Sequence, residues 1–180
     1  MKIIATQHQN IETVDTYLIA ANQVVLRKIK DYCRYQPRTH QQVRQKLYGW
    51  TLAKNTVETL LAALIEEGLV NESRFAVSYA GDRVRVNRWG RNKVRMELWK
   101  RQISSYCIKE AIATVDPVHY EKEMRRLAAK KWASFQGKGL HPGVRAKRTA
   151  NFLIGKGYEP NVVWKLIGEL KNPKTPNDDS

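Results

Sequence analysis

The side chains best suited to chemistry in this 180-residue sequence are the basic ones. Thirty-two Lys and Arg stand against 17 Asp and Glu, a formal charge of +15. An excess of that size describes partners rather than fold, and points to nucleic acid or another polyanion. The charge gathers in two windows. Arg83 to Arg101 holds Arg83, Arg85, Arg88, Arg91, Lys93, Arg95, Lys100 and Arg101 against Glu97 alone. Lys122 to Arg148 holds nine basic residues, among them Arg125, Arg126, Arg145, Lys147 and Arg148, against Glu123 alone. Solubility is ordinarily met with mixed signs, so windows this one-sided read as contact surface. With a helix after Gly90, Arg91 and Arg95 lie one turn apart on a common face, and Arg88 reaches the same surface. Phosphate contacts from these three would each add about −0.7 to the salt slope on single strands. Trp89 and Trp99 flank that helix and are candidates for a surface role. Trp132 and Trp164, at helical spacing with Ala128 and Ile167, read as core.

Other chemistries find little support. His8, His40, His119 and His141 are scattered, with no HxH, HExxH or neighbouring Cys to make a metal site. No GxxxxGK[ST] loop occurs, and Gly137-Lys-Gly139 reads as a flexible loop rather than a phosphate cradle. Glu66-Glu67 closes a helix before Gly68 and reads as a solvated end rather than a carboxylate pair. Cys33 and Cys107 form no CxxC and have no activating partner, which fits packed thiols in a reducing cytoplasm. No nucleophile, base and orienting group fall together, so neither turnover nor a cofactor or metal is expected. No apolar run approaches the ~20 residues that span a bilayer, and Met1 to Asn10 does not read as a secretory signal.

The elements that must position the basic windows are helices, with almost no strand signal. Val14, Leu18, Ala21, Val25 and Ile29 predict a helix over Thr13–Tyr32, ended by Pro37. Thr39 caps a short helix to Tyr48. Lys54–Glu67 follows, then Asn71–Val86, a short helix after Gly90, and Ser104–Thr114. Pro117, with Asp116 before it as cap, starts a helix reaching Phe135. Val144–Lys156 and Pro160–Leu170 complete nine helices. The polar, proline-bearing tail from Asn172 reads as disordered.

The order repeats. A shift of 51 residues carries Val43, Leu47, Leu52, Val57, Leu61 and Leu64 onto Val94, Leu98, Ile103, Ile108, Ile112 and Val115. A further 55 carries the last five onto Leu153, Tyr158, Val163, Ile167 and Leu170. Val43, Val94 and Thr149 then stand at equivalent positions. Helix-breaking or capping residues mark the turn in each unit: Gly49 and Thr51, Ser104 and Ser105, Gly157. The expected fold is all-α, three tandem three-helix repeats forming an elongated, curved array. Its segments are 1–70 with the N-terminal segment, 71–116, 117–171, and a tail 172–180.

The middle unit carries a resemblance. Asn71-Glu-Ser-Arg-Phe-Ala-Val-Ser-Tyr-Ala80, followed by Arg88-Trp-Gly-Arg-Asn-Lys-Val-Arg-Met-Glu-Leu98, resembles the signature of the RecX family of bacterial RecA regulators. Glu66-Glu-Gly-Leu-Val70 in the first unit and Phe152-Leu-Ile-Gly-Lys-Gly-Tyr158 in the third agree. The family often has a second glycine just before the Gly90 turn, where Arg88 and Trp89 stand here. The resemblance implies a non-enzymatic modulator, without cofactor, that binds the RecA filament and suppresses its ATPase and strand exchange. It implies nonspecific contact with single- and double-stranded DNA, no membrane association, and a cytoplasmic monomer. Arg83, Arg85, Arg88, Trp89, Arg91, Lys93, Arg95, Arg125, Arg126, Arg145, Lys147 and Arg148 are the residues expected to meet partner or nucleic acid. The alternative is a stand-alone, nonspecific DNA-binding helical array, since the pairs outline helix-turn-helix units but lack base-reading side chains.

Overall fold

A computed structural model describes residues 23–172. Nine helices follow in order: α1 over residues 23–35, α2 (His40–Tyr48), α3 (Lys54–Glu66), α4 (Glu72–Arg85), α5 (Arg91–Lys100), α6 (Ser105–Ala113), α7 (Pro117–Ala133), α8 (Pro142–Gly155) and α9 (Pro160–Lys171). No strand occurs among the described residues. The start expected for the first helix at Thr13 and the tail 173–180 lie outside them.

Local chemistry sets the starts. Thr39 and Gln42 form a reciprocal capping box, the Gln42 N–H donating to Thr39 Oγ1 at 3.0 Å and the Thr39 N–H to Gln42 Oε1 at 3.1 Å. Ser104 caps α6 and Asp116 caps α7, where Pro117 stands at the first helical position. α8 begins two residues before the expected Val144, because Pro142 starts it and His141 Nδ1 accepts from the Gly143 N–H at 3.2 Å. α7 stops at Ala133 rather than Phe135, its last turn tightening through Phe135 N–H to the Trp132 carbonyl.

The repeat is visible in burial and in the turns. Val43, Val94 and Thr149 are each fully buried, as are Leu47, Leu98 and Leu153. Thr149 can stand where the others have valine because its hydroxyl donates to the Arg145 carbonyl at 2.9 Å, which leaves no polar group unpaired. Each turn passes through one left-handed residue at the same register: Thr51 (φ 60), Gln102 (φ 59) and Gly157 (φ 91). In the middle repeat the reversal therefore falls at Gln102 rather than at the expected serines, and Ser104 serves as cap. Arg88, also left-handed at φ 55, occupies the stretch where the family's second glycine is expected.

The chain divides into two compact units, Met1–Glu72 and Ser73–Ser180. In the first, Ile29, Cys33, Val43, Leu47, Val57, Leu61, Leu64 and Val70 form the core, with α2 packed on α3. In the second, one continuous core runs from Phe75 to Ile167; α5 packs on α6, while α7, α8 and α9 pack on one another. Leu98 has no exposure, so Leu98→Ala is expected to cost about 2–5 kcal/mol by denaturant titration; a change below about 1 kcal/mol would place that side chain outside the core.

Candidate nucleic-acid interface

The two basic windows sit on α4, α5, α7 and α8, and the structure sorts their side chains into three kinds. The first kind is neutralised by carboxylates. Arg88 pairs with Glu123 at 3.3 Å, and Glu123 also holds Arg126 at 2.8 Å. These arginines keep the Glu123 carboxyl below its usual range, Arg126 first. Arg125 bridges Glu121 at 2.8 Å and Glu169 at 2.6 Å. Lys100 and Arg101 both hold Glu97, and Arg85 pairs with Asp82.

Arg91 belongs to this kind and does more. α5 has no side-chain cap, since its N-cap is Gly90. Its leading N–H groups are satisfied from the third repeat instead: Gly90 N–H by the Lys156 carbonyl at 2.8 Å, Asn92 N–H by the Gly157 carbonyl at 3.0 Å, and Arg91 N–H by Tyr120 Oη at 3.0 Å. The Tyr120 hydroxyl in turn donates to Glu159 Oε2 at 2.7 Å, and the Arg91 guanidinium lies 4.2 Å over the Tyr120 ring and 3.6 Å from Glu159. Burial, and then the Glu159 carboxylate, push the Tyr120 hydroxyl far above its usual range. Tyr158, tilted against Tyr120 with ring centroids 5.2 Å apart, is pushed up to about 12 by burial. Gly90 and Gly157 let the two backbones meet, because a Cβ on either would overlap backbone atoms of the facing segment. Tyr120→Phe removes the bridge and strands the Arg91 N–H, leaving Glu159 only the Arg91 guanidinium, so a loss of about 1–3 kcal/mol is expected on thermal or urea unfolding. Unchanged stability would mean that water replaces the hydroxyl.

The second kind lies over aromatic faces. Such a cation keeps its whole charge, because a ring attracts it without neutralising it. Arg83 lies 4.8 Å from the Tyr79 centroid and 5.4 Å from that of Trp89, and Lys93 lies 4.5 Å from Trp89. Lys93's backbone abuts Gly157, next to Lys156. Lys156 and Lys131 stand over Phe152 at 5.7 and 5.2 Å, and Lys131 and Lys138 over Phe135 at 4.9 and 6.0 Å. These contacts form two runs, one across α4 and α5 and one from the α8–α9 turn to the loop after α7, which come near each other where Lys93 abuts Gly157. Arg145 stacks 4.3 Å over Trp132 and donates to that residue's carbonyl.

The third kind is exposed and free of carboxylates among the described residues: Lys122, Lys130, Lys147, Arg148 and Arg95, the last bonded only to Asn92 Oδ1 at 2.8 Å. Arg91 turns to Glu159 while Arg95 stays at the surface. Trp99 is 73% exposed and Trp89 half-buried; Trp164, expected in the core, is 48% exposed on the outer side of α9. Phe135, Phe152 and Lys156 were not singled out by sequence reasoning. Their signal is the i, i+4 spacing of Lys131 with Phe135 and of Phe152 with Lys156, a cation and a ring on one helical face. No His, Cys, Asp and Glu cluster among the described residues could hold a metal, and no described helix is long and apolar enough to cross a membrane.

Fold and charge together define an all-helical protein of three-helix repeats whose second and third repeats carry uncompensated cations interleaved with aromatic rings. Comparisons with known proteins agree with the helical-repeat fold. Residues 71–112 match RecX, second three-helix domain. The regulatory protein RecX of Clostridium perfringens (strain 13 / Type A) is 24% identical over 135 residues, covering 75% of this chain and 63% of that protein. That of Amycolatopsis mediterranei (strain U-32) is 28% identical over 147 residues, 79% of this chain and 83% of the relative. The crystal structure of RecX from Lactobacillus salivarius aligns with a TM-score of 0.74 at 19% identity, covering 83% of this chain and 96% of that one. These relatives are regulatory proteins by name, similar to this chain at 24–28% identity, and the chain spans less than two thirds of the Clostridium relative's length.

Proposed function

We propose that the chain is a non-enzymatic regulator of the RecA recombinase, acting in the cytoplasm as a monomer. It binds the RecA–DNA filament and lowers its ATPase and strand-exchange activity. The likeness to RecX over the middle repeat, where the basic window lies, carries this reading. The succession of cations over rings supports a role for that surface against the filament's DNA, since phosphates there meet charge that no carboxylate compensates. In this reading Arg83, Lys93, Lys131, Lys138, Lys156, Lys147 and Arg148 face nucleic acid. Arg88, Arg91 and Arg125 join elements to one another, and Arg126 braces α7 through Glu123.

The test is RecA's ATPase on single-stranded DNA, with the purified protein added below one copy per RecA. A falling rate is expected, and an unchanged rate up to equimolar protein overturns the reading. The same cation–aromatic succession also favours a second reading, a stand-alone DNA-binding array. Titration of single-stranded DNA without RecA separates the two: tight binding to bare DNA together with an unaffected RecA supports the second.

A further inference from the structure

The α5–α6 pair leaves a groove of about 470 Å³ whose walls are Met96, Trp99, Ile108 and Ile112, with Arg95 and Lys109 on its rim. Trp99 is 73% and Met96 46% exposed, an open apolar ledge of the kind that marks contact surfaces. No acidic side chain lines it.

The repeat shows what is missing. In the first repeat the same register positions are Arg44 and Glu58. There Arg44 grips Glu58 with two parallel bonds, Nε to Oε1 at 2.8 Å and Nη2 to Oε2 at 2.9 Å, across the α2–α3 pair. That bond holds the Glu58 carboxyl below its usual range. A shift of 51 turns Arg44 into Arg95 and Glu58 into Lys109. The arginine is kept and its carboxylate is replaced by a second cation. Arg95 turns back to the uncharged Asn92, and neither it nor Lys109 has an ion-pair partner among the described residues. The nearest acid on α5, Glu97, is held by Lys100 and Arg101. In the third repeat the positions are Ala150 and Trp164, so the uncompensated pair is particular to the middle one.

We infer that the α5–α6 groove docks a segment of a partner protein that presents a carboxylate side chain beside an apolar one. The carboxylate takes the place that Glu58 holds in the first repeat, bidentate on Arg95 and close to Lys109. The neighbouring apolar side chain lies on Met96, Ile108 and Ile112 against the Trp99 indole, an aromatic anchor at the edge of an apolar floor. The floor of Met96, Ile108 and Ile112 and the bidentate geometry that Arg95 offers a carboxylate favour a peptide, and a base stacked on the exposed Trp99 indole is the competing occupant that the test reads. This site is separate from the succession of cations over Trp89, Phe152 and Phe135, and the inference stands whether or not RecA is the regulated protein.

The test uses full-length protein labelled with nitrogen-15 and an acetylated six-residue peptide of alternating Asp and Leu. Amide shifts are expected to concentrate at residues 95–99 and 105–112. The counterpart with Asn for Asp should bind at least about tenfold more weakly, because it lacks the charge that Arg95 and Lys109 select. Lys109→Glu rebuilds the first repeat's ion pair inside the groove, and should abolish the peptide shifts while leaving the thermal midpoint unlowered. Trp99→Ala should weaken the peptide about tenfold. If Lys109→Glu does not fold, Arg95→Gln serves in its place, with the same loss expected. Absence of shifts at millimolar peptide, equal binding of the Asn counterpart, or unaltered binding by the folded charge variant overturns the inference. Shifts at the groove from an oligothymidylate but not from the peptide would overturn it in favour of nucleic acid.

Discussion

Gly90→Ala is expected to cost about 3 kcal/mol or more and to lower the melting midpoint of the Ser73–Ser180 unit by roughly 12–20 °C. The backbone at Gly90 is ordinary, with φ −75 and ψ 159, so alanine there would by itself restrict the unfolded chain and stabilise slightly. What opposes it is space. The new Cβ would overlap the Gly157 carbonyl and the Tyr158 nitrogen, which are backbone and cannot rotate away. Relief requires α5 to back off from the α8–α9 turn, weakening the bonds from Gly90, Arg91 and Asn92 that replace its missing cap. Each is worth about 1 kcal/mol. Gly49→Ala is the control: Gly49 ends α2 at φ −62, and a Cβ there meets only carbonyls at 3.4 Å. That variant should melt within a few degrees of the parent. Equal midpoints for the two variants would remove the close approach as a source of stability.

The triple variant Lys93→Gln, Lys131→Gln, Lys156→Gln is expected to flatten the salt dependence of single-stranded DNA binding by about 2 log units per decade. In 0.1 M salt it should weaken that binding roughly 100-fold. Each of these ammonium groups faces an aromatic ring and no carboxylate, so each has a full charge to exchange for a counterion on a phosphate. Arg125→Gln removes a single formal charge, one third of that loss, from a side chain already shared by Glu121 and Glu169. It should leave the slope nearly unaltered. An Arg125→Gln change in slope about one third as large as that of the triple variant, its share of the three charges removed there, would show that affinity follows net charge alone, without regard to which cations are paired. The expectation that Arg88, Arg91 and Arg95 make a common phosphate-binding face changes accordingly: Arg91→Glu would set a carboxylate against Glu159 and act first on stability.

Helix order and core register were readable because they rest on local periodicity. Leu47, Leu98 and Leu153 each follow their own helix's stripe, and a 51- or 55-residue shift needs no knowledge of packing. Arg88 and Arg91 were not readable, since what decides their role is Glu123 and Glu159, 35 and 68 positions later, brought close only by the joint between repeats. Nothing local distinguishes Arg91, half-buried on Tyr120, from Arg95, one turn away and exposed. Trp164 misled for a related reason. Its spacing from Ile167 is helical, but the apolar face of α9 is already filled by Val163, Leu166 and Ile167, and the indole is left outside. Gln102 hid the middle turn because a left-handed residue without glycine leaves no mark in composition.

The joint at Gly90 also has a consequence for how the chain is made. A ribosome releases the N-terminal unit with every partner of its core already synthesised by Val70, so that unit can close while the rest is still being translated. α5 cannot. The carbonyl that receives the Gly90 N–H belongs to Lys156, and the one that receives the Asn92 N–H belongs to Gly157. Until those residues leave the exit tunnel, the start of α5 has water for a partner, and the core that begins at Phe75 stays open. The second and third repeats are therefore born as one late event after an early one. A nascent chain arrested before Lys156 would present the RecX-like middle repeat unfinished, with its apolar face available to chaperones.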